Sequence, residues 1–212
     1  MHIRSYQAAD RSSVRRICCD TADRGEPVER FFTDRELFAD LVTRYYTDAE
    51  PQSLWVAEHE GRVIGYLTGC LEPRRYQWVM GCRILPAALM KAIRRRTWQS
   101  PQTWRILWGG WRTWHRGGPP WAVLRRYPAH LHVNIELPFR DQRVGQRLVE
   151  RFLEQARTVR VSGAHVAVRS DNPRACRFFE RMGFTEFARV SVVFPQGDSY
   201  HVHDTVFYGR RL

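Results

Sequence analysis

Two histidines, an asparagine and a glutamate alternate with apolar residues over Ala129–Glu136. Successive side chains of a strand point to opposite faces, so His130, His132, Asn134 and Glu136 share one face. Ala129, Leu131, Val133 and Ile135 share the other. An imidazole titrates near neutral pH, and its neutral form can take the proton that an amine must lose before it attacks a carbonyl. His132 is the first candidate for such a general base, with His130 and Glu136 behind it. Each of the three also reads as a satisfied polar residue of a half-buried strand. His201 and His203 repeat the spacing of the first pair. Two H-x-H pairs could hold zinc, but no nearby cysteine or paired carboxylate completes such a site, and no metal is expected.

Immediately after this stretch, Arg140, Gly145 and Leu148 stand at the spacing R-x-x-x-x-G-x-x-L and run into a helical pattern. The first turn of a helix points unpaired N–H groups outward and carries the positive end of the helix dipole. A pyrophosphate fits such a place, and a glycine lets the backbone come close to it. Many loops before helices contain one glycine, so the signal needs a second piece. That piece is Asn172-Pro-Arg-Ala175-Cys-Arg-Phe178-Phe179-Glu-Arg-Met182-Gly183-Phe184, where Asn172 caps a helix, Pro173 opens it and Gly183 closes it.

Together the two segments resemble the signatures of the GNAT superfamily of N-acetyltransferases, R-x-x-G-x-G/A followed by N-x-x-A-x-x-x-Y-x-x-x-G-F. The stretch Tyr127–Asn134 is also similar to bacterial members related to the acetyltransferase-like domain of O-GlcNAcases. The resemblance implies acetyl-CoA as co-substrate and direct acetyl transfer to an amine, on a small molecule or a protein, without a covalent enzyme intermediate. It implies that the backbone of Val133, Asn134 and Ile135 pairs with the pantetheine arm. It also implies that the N–H groups of Arg140, Asp141, Gln142, Arg143, Val144, Gly145 and Gln146 hold the pyrophosphate, that Asn172 reaches the pantetheine, and that residue 179 lies near the sulfur. Two positions depart from the pattern. Arg143 and Asp141 stand where glycines are usual, and a left-handed conformation there costs a non-glycine residue about 1–2 kcal/mol, so another loop path is expected. Phe179 stands where a tyrosine usually protonates the leaving thiolate. These departures keep open a non-catalytic binding or dimerisation module of the same fold.

The elements that must position these residues follow from the rest of the pattern. The expected fold is α/β (α+β): a central mixed, mostly antiparallel twisted sheet with helices on both faces. The expected order is a strand (His2–Tyr6), helices from Asp10 and from Asp34, and strands Leu54–His59 and Arg62–Leu71 joined by Glu60-Gly61. The strand at Ala129, a helix, the strand Ala164–Arg169, a second helix and the strands Glu186–Phe194 and Tyr200–Tyr208 then follow. All 212 residues are expected to form one domain. The polar start Met1–Asp10, the lack of a long apolar run and five cysteines without a C-x-x-C pair point to a cytoplasmic protein without a disulfide scaffold.

One segment differs from its surroundings. Residues 74–126 hold twelve Lys or Arg and no Asp or Glu, and seven of the eight tryptophans; outside it 22 basic residues balance 22 acidic ones. It reads as a helical insertion with one apolar face formed by Leu85, Ala88, Leu89, Ala92 and Ile93. A second face is formed by Trp104, Leu107, Trp108, Trp111 and Trp114, before Gly117-Gly118-Pro119-Pro120. Tryptophans gathered on one helical face favour burial. Folding back on the domain or forming a homodimer therefore ranks first, an anionic partner such as nucleic acid second and a membrane surface third.

Overall fold

A computed structural model describes residues 1–115, 125–196 and 199–212. The Gly117–Pro120 stretch, Trp121, Gly197 and Asp198 lie outside the described residues, as does the Trp114 side chain. The elements run in the expected order. Strand β1 (His2–Ser5) leads to helices α1 (Arg11–Asp20) and α2 (Arg35–Arg44), then to β2 (Leu54–His59) and β3 (Arg62–Cys70). Three helices follow, α3 (Pro73–Val79), α4 (Leu85–Arg94) and α5 (Pro101–His115). The chain then forms β4 (Ala129–Ile135), α6 (Val144–Thr158), β5 (Gly163–Arg169), α7 (Pro173–Arg181), β6 (Thr185–Gln196) and β7 (Ser199–Arg211). The sequence pattern indicated two helices in the insertion; α3 is the additional one.

Local chemistry sets the boundaries. The Asp34 carboxylate accepts the N–H of Leu37 at 3.0 Å and starts α2, a cap worth about 1 kcal/mol. Glu60 and Gly61 both take positive φ (51° and 76°), the geometry that matches a two-residue turn to the twist of β2 and β3. The last turn of α2 widens into a π-helical turn over Tyr45–Ala49, which buries Tyr45 and Tyr46 side by side. Their hydroxyls then go to Glu50 and His130.

The sheet order is β1-β2-β3-β4-β5-β7-β6, antiparallel throughout except between β4 and β5. One face packs on α6 and α7 through Leu131, Leu148, Phe152, Val166 and Phe179; the other packs on α1 and the end of α2 through Val14, Ile17, Tyr46 and Tyr66. Phe152 lies so close to β3 that a Cβ on Gly69 would stand 2.1 Å from its ring. That glycine sets the depth at which α6 seats.

Candidate active site

The parallel strands β4 and β5 pair only at Ala129–Ala164 and His130–His165. Beyond that point they separate, while β4 stays paired with β3 as far as Ile135 and β5 with β7 as far as Arg169. The gap is a cleft of about 650 Å³. Val133, Asn134 and Ile135 on the β4 edge form one wall, and Val166, Ala167 and Val168 of β5 form the other. The starts of α6 and α7 border it through Gly145 and Asn172.

The loop between β4 and α6 keeps left-handed turns despite its side chains. Asp141 has φ 68° and Arg143 has φ 57°, so both glycine-type positions adopt the strained conformation rather than another path. That corrects the expectation from the sequence. Strain of about 1–3 kcal/mol at each such residue persists only where the surroundings over-determine it. Here Arg143 is the N-cap of α6 without a side-chain cap. A Cβ on Gly145 would stand 3.2 Å from Ile135 and 3.4 Å from Phe178, so the backbone approaches closely there.

Charge around the loop is positive. Arg140 turns its Nε to the Ile135 carbonyl at 3.0 Å, and its guanidinium lies over Gly25. Burial and nearby Arg174 lower its pKa, yet an arginine remains a cation at any physiological pH. Asp141 points outward to Arg174 (2.8 Å), which offsets the carboxylate beside the loop. Arg24, Arg143, Arg169 and Arg181 also line the cleft.

Above the loop lies a cluster that the sequence showed only in part. His132 lines the cleft and its ring reaches water there. The surrounding protein and His165 hold it well below the ordinary imidazole value, near 4, so it is neutral at pH 7. His130 is packed more tightly, against Tyr46, Tyr76, His132 and His165. Its Nε2 lies 2.8 Å from the Tyr46 hydroxyl, and burial with two neighbouring imidazoles keeps it neutral. His165 turns Nδ1 to the Tyr127 carbonyl at 2.5 Å. His165, Tyr46 and Tyr76 had no motif to mark them. They arrive through the β4–β5 register, the π-helical turn and α3, which spacing along the chain does not reveal.

One expected role changes with this geometry. Glu136 is buried and held by Arg16 at 2.6 Å and Arg62 at 2.6 and 2.7 Å, so its carboxylate joins α1 to the sheet rather than facing an acceptor. Asn134 points to Thr21 (2.6 Å), and Asn172 caps α7 by accepting the Ala175 N–H at 3.1 Å while also lining the cleft. Phe179 is a core residue, edge-on to Phe178 and Phe184, at the inner border of the cleft. His201 and His203 lie on β7 beyond its pairing with β5, apart from the β4 pair.

Known proteins share this fold. Residues 110–184 match the model of the acetyltransferase (GNAT) family. The fold is similar to that of SsHAT, at TM-score 0.73 and 22% identity, over 99% of this chain and 97% of that one. The ribosomal-protein-alanine N-acetyltransferase of Brucella melitensis matches at TM-score 0.60 and 17% identity over 100% of both chains. YncA of Salmonella typhimurium, solved with its cofactor acetyl-CoA, matches at 0.59 and 16% over 100% and 94%. The chain thus shares the fold of these acetyltransferases along its length, and its residues 110–184 match the GNAT family, whose co-substrate is acetyl-CoA.

Proposed function

We propose that the cleft binds acetyl-CoA between β4 and β5 and passes the acetyl group directly to an amine that enters on the His132 side. The observation that carries this reading is the strained loop at Asp141 and Arg143, which runs directly into the N-terminus of α6 and is surrounded by arginines. That is the requirement of a pyrophosphate. The unpaired β4 edge at Val133, Asn134 and Ile135 would then complete a strand with the amide-bearing pantetheine arm, and Asn172 would border it.

In the transfer, the amine nitrogen forms a bond to the thioester carbonyl carbon, its proton leaves, and the carbon–sulfur bond breaks to release the thiolate. His132 is the proton acceptor best placed for this. Its low pKa keeps it unprotonated, and nitrogen becomes more acidic as its bond to carbon forms. Phe179 cannot donate a proton, so the thiolate leaves without help from residue 179. A second reading, cofactor binding without transfer, rests on that same Phe179. The acceptor can be a small molecule or a protein amine. One domain spanning residues 1–212 and a cytoplasmic location go with the proposal, the latter supported by five unpaired cysteines.

The test is chromatographic measurement of CoA release from acetyl-CoA across a panel of amines. The expected result is acceptor-dependent release that His132→Ala lowers by about 100-fold in kcat/KM. Acetyl-CoA binding without release to any amine would favour the second reading. Equal rates in wild type and His132→Ala would remove His132 from the chemistry.

A further inference from the structure

The insertion helices carry their apolar faces outward. In α5, Trp104, Leu107, Trp108 and Trp111 recur at one helical face and stand 60%, 57%, 46% and 52% exposed. The opposite face of that helix, with Gly109 and Thr113, lies against β6, where Thr113 accepts the Val193 N–H at 3.0 Å. In α4, Ala88 is buried while Leu85, Leu89 and Ile93 are each at least half exposed. Both helices are anchored to the body of the protein, because Ala88, Ala92 and Ile106 pack on one cluster with Phe32 and Leu37. This overturns the expected folding back of the tryptophans onto the domain. A stripe this large on a folded surface marks a contact site.

We propose that this face docks on an anionic phospholipid surface, with α4 and α5 lying in the membrane plane. Charge selects the occupant. The segment carrying the stripe has twelve basic residues and no acidic one, and it accounts for the whole net charge of +12. A second copy would bring the same cations face to face, which opposes a symmetric dimer through this surface. Nucleic acid uses arginines and aromatic rings, but gains nothing from exposed Leu85, Leu89, Ile93 or Leu107. Acyl chains accommodate those aliphatic side chains, indoles settle at the headgroup level, and arginines meet anionic headgroups. No helix among the described residues is long and apolar enough to cross a membrane, so the contact is interfacial. The active-site cleft lies elsewhere in the sheet, and docking does not depend on what the cleft transfers.

Sedimentation of the full chain with vesicles tests the proposal, comparing phosphatidylcholine alone with phosphatidylcholine–phosphatidylglycerol. Binding is expected on the mixed vesicles, at least about tenfold weaker on the neutral ones and weakened by salt. Tryptophan emission should shift to the blue as vesicles are added. The double variant Trp104→Ser, Trp108→Ser should lose binding about tenfold or more while keeping the wild-type far-ultraviolet spectrum. Arg94→Glu with Arg112→Glu should lose the preference for anionic vesicles. Equal binding to both vesicle types would overturn the proposal, as would no binding to either. Tighter binding to duplex DNA than to the mixed vesicles would replace it with a nucleic-acid surface. A concentration-dependent dimer that shields the tryptophans from iodide would replace it with self-association.

Discussion

Arg143 shows what a single residue costs and why it stays. Its left-handed φ would suit glycine, and Arg143→Gly should relieve about 1–2 kcal/mol of strain. Glycine returns about 0.5–1 kcal/mol of that through the freer unfolded chain. The expected net change is a small rise in melting temperature, of a few degrees at most, together with weaker acetyl-CoA binding in calorimetry as a cleft cation is lost. Stabilisation without any loss of affinity would mean the guanidinium has no part in the site. The histidines make a second prediction at this scale. His130 and His132 have pKa values lowered in the fold, so both should remain neutral where a free histidine already gains its proton. Nuclear magnetic resonance titration should show neither protonating between about pH 7 and 5.5, the range around a free imidazole's pKa. The pH profile of kcat/KM should therefore lack an inflection near 6.5 and rise with the deprotonation of the amine acceptor. An inflection at about 6.5 that vanishes in His132→Ala would contradict the shielding of this cluster. The alternation over Ala129–Glu136 made the shared face of these residues legible from the sequence. Which of them reached solvent was not legible, because it depends on Tyr46, Tyr76 and His165 from three other elements.

At the scale of elements, the cleft exists because β4 and β5 abandon their pairing after two residues, and Glu136 helps hold β4 in place after that point. Its ion pairs with Arg16 of α1 and Arg62 of β3 tie the strand end to both neighbours. Glu136→Gln should lower stability by about 1–3 kcal/mol, the cost of losing charged hydrogen bonds to a buried group. It should leave the shape of the pH–rate profile unchanged, which separates positioning from proton transfer. Sequence periodicity located the strands and the helices at Asp34, Val144 and Asn172, since caps and alternation are local. It also found amphipathic helices between β3 and β4. It assigned their apolar side inward, because burial is the usual reason for such a stripe. In α4 only the small members of the expected face, Ala88 and Ala92, turn inward, and in α5 the inward side includes Gly109, which a hydrophobicity pattern ranks low. The parallel β4–β5 step was equally hidden, as it is a relation between strands rather than a property of either.

For the whole molecule, charge and apolar surface divide the protein into a charge-balanced body and a cationic, tryptophan-rich flank. Six of the body's arginines line the cleft, and the flank's arginines accompany exposed apolar helices. The two proposals, a pyrophosphate in the cleft and a lipid surface on the flank, both call for anions and can be separated by titrating each partner alone. The cleft is the claim on which the functional reading stands. Its most direct measurement is the melting temperature of the full chain against acetyl-CoA concentration, paired with isothermal calorimetry. A ligand that binds only the folded state at about a hundred times its Kd adds about 2.7 kcal/mol. The expected result is one bound acetyl-CoA per chain and a rise of several degrees, lost when Arg140 and Arg143 are both replaced by Glu. No heat and no shift at saturating acetyl-CoA would contradict a cofactor cleft between β4 and β5.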